Sequence, residues 1–178
     1  MSVRLVYETH SITTDNEAGI ATGWLPGALS ALGRAAAKEL GVRRRDDGIQ
    51  AIYVSDLRRA VETVEIAFAG SSIPVVLDAR LRECNYGDLN GAPVATLDIE
   101  RLTRIAKPWS GGESYVDVVD RTRSFLDDIR MRHDGEGVLL VAHSANRWAL
   151  QHLLLGSTLD DAIAAPFAWQ PGWEFIVE

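Results

Sequence analysis

The stretch Val3-Arg4-Leu5-Val6-Tyr7-Glu8-Thr9-His10-Ser11 decides how this chain is read. An apolar, β-branched run of strand character stops at a histidine, and the small polar series Ser11, Thr13, Thr14, Asp15 and Asn16 follows. Gly137-Val138-Leu139-Leu140-Val141-Ala142-His143-Ser144 repeats the pattern: a buried-strand signal, then His-Ser. Two strands that each end in a histidine imply a shared crevice if the strands are neighbours. In open α/β sheets, ligands bind beyond the carboxyl ends of the strands.

The rest of the chain supports that architecture. Ser30 is suited to cap a helix over 31–41 with Leu32, Ala36 and Leu40 on one face. Gln50–Val54 reads as a short strand closed by Ser55-Asp56, and 57–69 as a helix burying Leu57, Val61, Val64 and Phe68. Ile73–Leu77 reads as a strand, 78–91 as an ordered loop and 92–109 as weakly helical. Ser114 and Asp117 form a capping-box pattern opening a helix over 115–132. Val138–Ala142 is a strand, Arg147–Leu155 a helix ended by Gly156, 159–165 a short helix and Trp173–Val177 a last strand. The alternation predicts a three-layer α/β/α fold with a mostly parallel central sheet, one domain over 1–178. The charge run Arg43–Asp47 reads as a solvated loop, and the aromatic-rich 167–173 as packing over the last strand.

Composition narrows the function. At 178 residues with 47% hydrophobic and 24% charged content, the chain suits one ordinary globular domain. No apolar run reaches the roughly 18 residues of a membrane span, and no signal-peptide pattern opens the chain. One cysteine, Cys84, rules out an internal disulfide and a multi-thiolate zinc site, and the expected location is cytoplasmic. A net charge of −7 argues against nucleic acid or an acidic membrane as partner. A small anion remains suitable where arginines gather.

Ser55-Asp56-Leu57-Arg58-Arg59 starts a helix directly after a strand, so backbone N–H groups and a guanidinium could converge on an anion. Arg59 suits this better than Arg58, since only one of two adjacent residues can face the crevice. Glu83, in a loop with Arg82 and Tyr86, could serve as a general acid. A neutral imidazole attacking phosphorus, cationic donors on the equatorial oxygens and a carboxyl protonating the leaving oxygen suit phosphoryl transfer without a metal or other cofactor.

These motifs resemble the histidine phosphatase superfamily, also called phosphoglycerate-mutase-like. Thr9-His10-Ser11 with Thr13 and Asn16, the run Ser55 to Thr63, Leu81-Arg82-Glu83 with Gly87 and Gly91, Gly112-Glu113-Ser114, and Val141-Ala142-His143 follow that family's order. The resemblance implies His10 as nucleophile, Glu83 as proton donor and His143 as the second active-site histidine. It places Arg59, Thr9, Ser11, Asn16 and Ser144 around the phosphate. The family's Arg-His-Gly is here Thr-His-Ser. Losing a bidentate guanidinium removes about 1.5–3 kcal/mol of charge-assisted contact, or one to two orders of magnitude in rate. His143-Ser144-Ala145-Asn146-Arg147 replaces His-Gly-Gly, and Arg147 is a candidate replacement cation.

The expected activity is a metal-independent phosphatase acting on a small phosphomonoester through a phosphohistidine. Two alternatives stand beside it: a phosphomutase with the same chemistry, and a catalytically weak member that binds a ligand or partner, which Thr9 and Ser11 motivate. A His/Glu metal site is the weakest reading. The aromatic stretch 167–173 leaves a homodimer contact open.

Overall fold

The computed structural model describes residues 2–178. In chain order the strands are β1 (Val3–Thr9), β2 (Ile20–Ala21), β3 (Ile49–Val54), β4 (Val75–Leu77), β5 (Ala92–Pro93), β6 (Gly137–Ala142) and β7 (Trp173–Val177). The helices are α1 (Thr14–Glu17), α2 (Ala31–Arg44), α3 (Arg58–Ala67), α4 (Val94–Asp98), α5 (Tyr115–Arg132), α6 (Ser144–Leu155) and α7 (Leu159–Ala164). Five strands form the main sheet in the order β4-β3-β6-β1-β7. The first four run parallel, and β7 is antiparallel at one edge. This is the expected α/β architecture.

Strand alternation sorts the core into two layers. Val3, Leu5 and Tyr7 pack with Phe125, Leu126, Ile129 and Leu150 on the face covered by α5 and α6. Val6 lies on the other face with Leu40, Ile52, Val54, Ala60 and Val64 from α2, β3 and α3. All six residues of β6 are buried, which is why its sequence is continuously apolar. β4 is short and exposed at the opposite edge.

Four local expectations change. Leu32 is 58% exposed; the buried stripe of α2 is Gly33, Ala37, Leu40, Gly41 and Arg44. Small residues let α2 approach closely: a Cβ on Gly41 would stand 2.1 Å from the carbonyl oxygen of Ala67. The charge run is not a solvated loop, because α2 extends through Arg44, whose Nε donates to buried Glu8 at 2.8 Å. Helix α6 starts at Ser144, three residues earlier than expected. In the aromatic stretch, Phe167 and Trp169 are 57% and 68% exposed instead of forming core. Pro166 and Pro171 break this segment, and cations hold it: Arg44 donates to the Pro171 carbonyl at 2.7 Å and Arg43 lies over Trp169. No described helix is long and apolar enough to cross a membrane.

Candidate active site

The sheet order makes β1 and β6 neighbours, with Thr9 in register with Ala142. The His10 N–H donates to the Ala142 carbonyl at 3.0 Å, so the ladder continues to the point where both chains deliver their histidine. The ring centroids of His10 and His143 lie 5.0 Å apart, tilted by 53°.

His10 Nδ1 is 2.8 Å from the Ser11 carbonyl oxygen, which can only accept. The proton therefore belongs on Nδ1, and Nε2 carries the free lone pair. Burial, and then Arg59, pull His10 down to about 3, against the opposing pull of the Ser11 carbonyl. The imidazole is neutral at physiological pH. Ser11 itself is buried; its N–H donates to Thr63 Oγ1 at 3.0 Å, and Thr63 donates to the Arg59 carbonyl at 2.7 Å.

His143 is fully buried and held on every side. Its N–H donates to Asn146 Oδ1 at 3.2 Å, its carbonyl accepts from Tyr7 at 2.7 Å, and Nε2 is 2.8 Å from Ser55 Oγ. Arg59 Nη2 reaches His143 Nδ1 at 3.3 Å. Burial, Arg59, His10 and Arg121, in that order, hold His143 well below the ordinary imidazole range.

Arg59 enters from the start of α3, while Arg58 is exposed. Its Nη2 also donates to the Gly23 carbonyl at 2.8 Å and Nη1 to the Leu25 carbonyl at 3.2 Å. The loop after β2 thus aims the guanidinium. Burial lowers Arg59, and the Glu83 carboxylate, first among the nearby anions, opposes the shift. Glu83 is 9% exposed, and its Oε1 accepts from the N–H groups of Cys84 at 2.8 Å and Ala145 at 3.3 Å. Its main chain is fixed as well: Trp24 Nε1 donates to the Glu83 carbonyl at 2.7 Å, and Arg121 Nη2 at 3.0 Å. His10, His143, Arg59 and Glu83 therefore converge.

The other sequence candidates sit around this group. Thr9 Oγ1 is 3.4 Å from the Tyr7 hydroxyl. Ser144 is partly exposed at the first position of α6. Asn16 is exposed, and its Oδ1 accepts from the Thr13 N–H at 3.0 Å in the capping box of α1, so only its Nδ2 is left for a ligand. Arg147 lies one helical turn beyond His143, against Trp173 and Phe167. Sequence reasoning missed Tyr7, Thr63 and Asn146, which hold the backbone of the two histidine segments. None carries a signal of its own, since each acts through a main-chain group. Among the described residues no cluster of three or more His, Cys, Asp or Glu side chains could hold a metal ion.

The pattern of the histidine phosphatase superfamily (branch 1) matches residues 9–168. The chain belongs to that superfamily. It is 35% identical over 175 residues to a glucosyl-3-phosphoglycerate phosphatase of Mycolicibacterium vanbaalenii, covering 89% of this chain and 76% of the relative. It is 33% identical over 155 residues to a probable phosphoglycerate mutase of Yersinia enterocolitica, covering 83% and 72%. Among solved structures, Bacillus stearothermophilus YhfR superposes with a TM-score of 0.85 at 30% identity, covering 99% of this chain and 91% of that one. Superfamily members of this kind act on phosphorylated small molecules, and the fold fits theirs.

Proposed function

We propose that the protein is a phosphatase that hydrolyses a small phosphomonoester through a phosphohistidine on His10. The observation that carries this reading is the His10 tautomer: Nδ1 faces the Ser11 carbonyl, and Nε2 is an unprotonated nucleophile at neutral pH. The phosphoryl group docks against His10 Nε2 with its oxygens taking over the contact that Arg59 Nη2 makes with His143 Nδ1. A dianion there raises the proton affinity of His143, so Nδ1 takes up a proton and donates to an equatorial oxygen while the Nε2 N–H donates to Ser55 Oγ. Arg59 supplies charge-assisted donors to the same oxygens. Nε2 of His10 attacks phosphorus in line, and the P–O bond to the leaving group breaks. Glu83 in its acid form gives that oxygen a proton. The resulting carboxylate then takes a proton from water, whose oxygen attacks phosphohistidine and releases phosphate.

A phosphomutase would use the same first half-reaction, and the mutase-named relative favours it as the second reading. The phosphatase-named relative favours release to water as the first reading. The test is a panel of phosphomonoesters assayed with wild type and His10→Ala in the presence of EDTA. Phosphate release by wild type, unaffected by EDTA and lost in His10→Ala, is expected. Transfer between positions without net release would favour the mutase. No turnover on any substrate would replace both with a ligand-binding role.

A further inference from the structure

Arg147 differs from the other cations near the crevice in having nothing on the protein to neutralise it. Arg44, Arg82 and Arg121 pair with Glu8, Asp56 and Glu113, and Arg59 donates to carbonyls and to His143. Arg147 is 8% exposed, and its Nε is sealed from solvent without an acceptor. Its guanidinium has no carboxylate or hydrogen-bond partner among the described residues. Two aromatic faces hold it instead, Trp173 at 4.9 Å and Phe167 at 5.6 Å from the ring centroids. Such faces attract a cation but accept few of its five N–H donors. The head is oriented, largely dry and unsatisfied, a state that an incoming anion relieves.

Its position bears on the substrate. Arg147 lies one turn beyond His143 on α6, and its N–H donates to the His143 carbonyl at 3.2 Å. Trp173 is in register with Tyr7 on β1. The Tyr7 hydroxyl, on which the Arg147 charge acts, reaches the His143 carbonyl and Thr9 Oγ1. The guanidinium therefore flanks the end of β1 on the Thr9 side. Arg59, in contrast, is the cation that acts on both histidine rings. Along α6 one turn, about 6 Å, separates Arg147 from His143. A phosphoryl group at the histidines followed by a short carbon chain and a terminal anion spans such a separation.

We propose that Arg147, caged by Phe167 and Trp173, binds a second anionic group of the substrate beside the end of β1 and so selects doubly anionic phosphomonoesters. This rests on the phosphomonoesterase reading of the crevice. The second anion is a carboxylate or a further phosphate.

Affinities measured calorimetrically in a His10→Ala background, where nothing turns over, test the idea. D-3-phosphoglycerate and sn-glycerol 1-phosphate, which share one configuration at the central carbon, differ only in a carboxylate against a hydroxymethyl group. Fructose 1,6-bisphosphate and fructose 6-phosphate differ in a second phosphate. A preference of roughly 10-fold or more for the doubly anionic member of at least one pair is expected from a charge-assisted contact, and the responding pair identifies the anion. Adding Arg147→Met, which keeps a long apolar stem against the rings, should bring that ratio to near one, while Arg147→Lys keeps part of it. No preference in either pair overturns the proposal, as does a preference that survives in Arg147→Met or equal weakening of both members. Phosphate release by wild type is read separately, so an Arg147-dependent preference without turnover would sink the phosphatase reading and leave the anion site standing.

Discussion

At the residue scale, the two histidines are neutral because His143 is buried and His10 half-buried beside a cation, and this has a cost in acid. His10 titrates near 6.5 when unfolded and near 3 when folded, so below pH 6.5 the unfolded chain binds the extra proton. Stability is unaffected above 6.5 and falls as the pH drops towards 3, by about 2 kcal/mol between pH 6.5 and 5 for this one group. Urea unfolding of wild type and His10→Asn should show this as a steeper loss in wild type; parallel pH profiles would contradict it. Ser55 gives a second prediction. Removing the hydroxyl in Ser55→Ala leaves His143 Nε2 without its partner, and kcat should fall by roughly 10-fold with a smaller effect on KM. Equal kcat in steady-state assays would mean that His143 needs no such support. Among single residues the histidines were legible because each ends an apolar run. Tyr7 and Thr63 were not, because a hydroxyl that holds a main-chain group leaves no pattern in the sequence.

At the element scale, the parallel strands and α5 were readable from periodicity and from the Ser114–Asp117 capping box, which forms as expected. The face of α2 was not. Apart from Leu40, its buried stripe is made of Gly33, Ala37 and Gly41 with a charged Arg44, and hydrophobic periodicity cannot find a face built for close approach and an ion pair. Glu8 looks like an odd residue in an apolar strand until Arg44 and Arg43 reach it from α2. Glu8→Ala removes the carboxylate shared by Arg43 and Arg44 while Arg44 keeps Asp47, so it should destabilise by about 1–3 kcal/mol. Gly41→Ala should cost about 1–3 kcal/mol by pushing α2 off the Ala67 carbonyl. Denaturant midpoints check both, and values within a few tenths of a kcal/mol of wild type would mean that α2 is more loosely seated than its contacts imply.

At the scale of the whole molecule, an acidic protein gathers its cationic donors where two strand ends, the start of α3 and the loop after β2 meet. The fold class followed from the alternation of strands and helices, and the crevice from the general rule for parallel sheets. Substrate preference was not legible, because the residues that would set it lie in the aromatic segment before β7 and in loops without motifs. With Thr9 in place of an arginine, Arg59 is the cation that reaches the histidine pair, at His143, and the proposed reaction rests on a covalent step at His10.

That step can be caught directly. Wild type mixed with a turned-over phosphomonoester, quenched in alkali within the first turnovers and digested for mass spectrometry, should carry one phosphoryl group on His10. The mark should vanish on acid treatment and be absent from His10→Ala. A wild-type enzyme that releases phosphate at full rate with His10 unmodified, or a mark that persists in His10→Ala, would contradict the account.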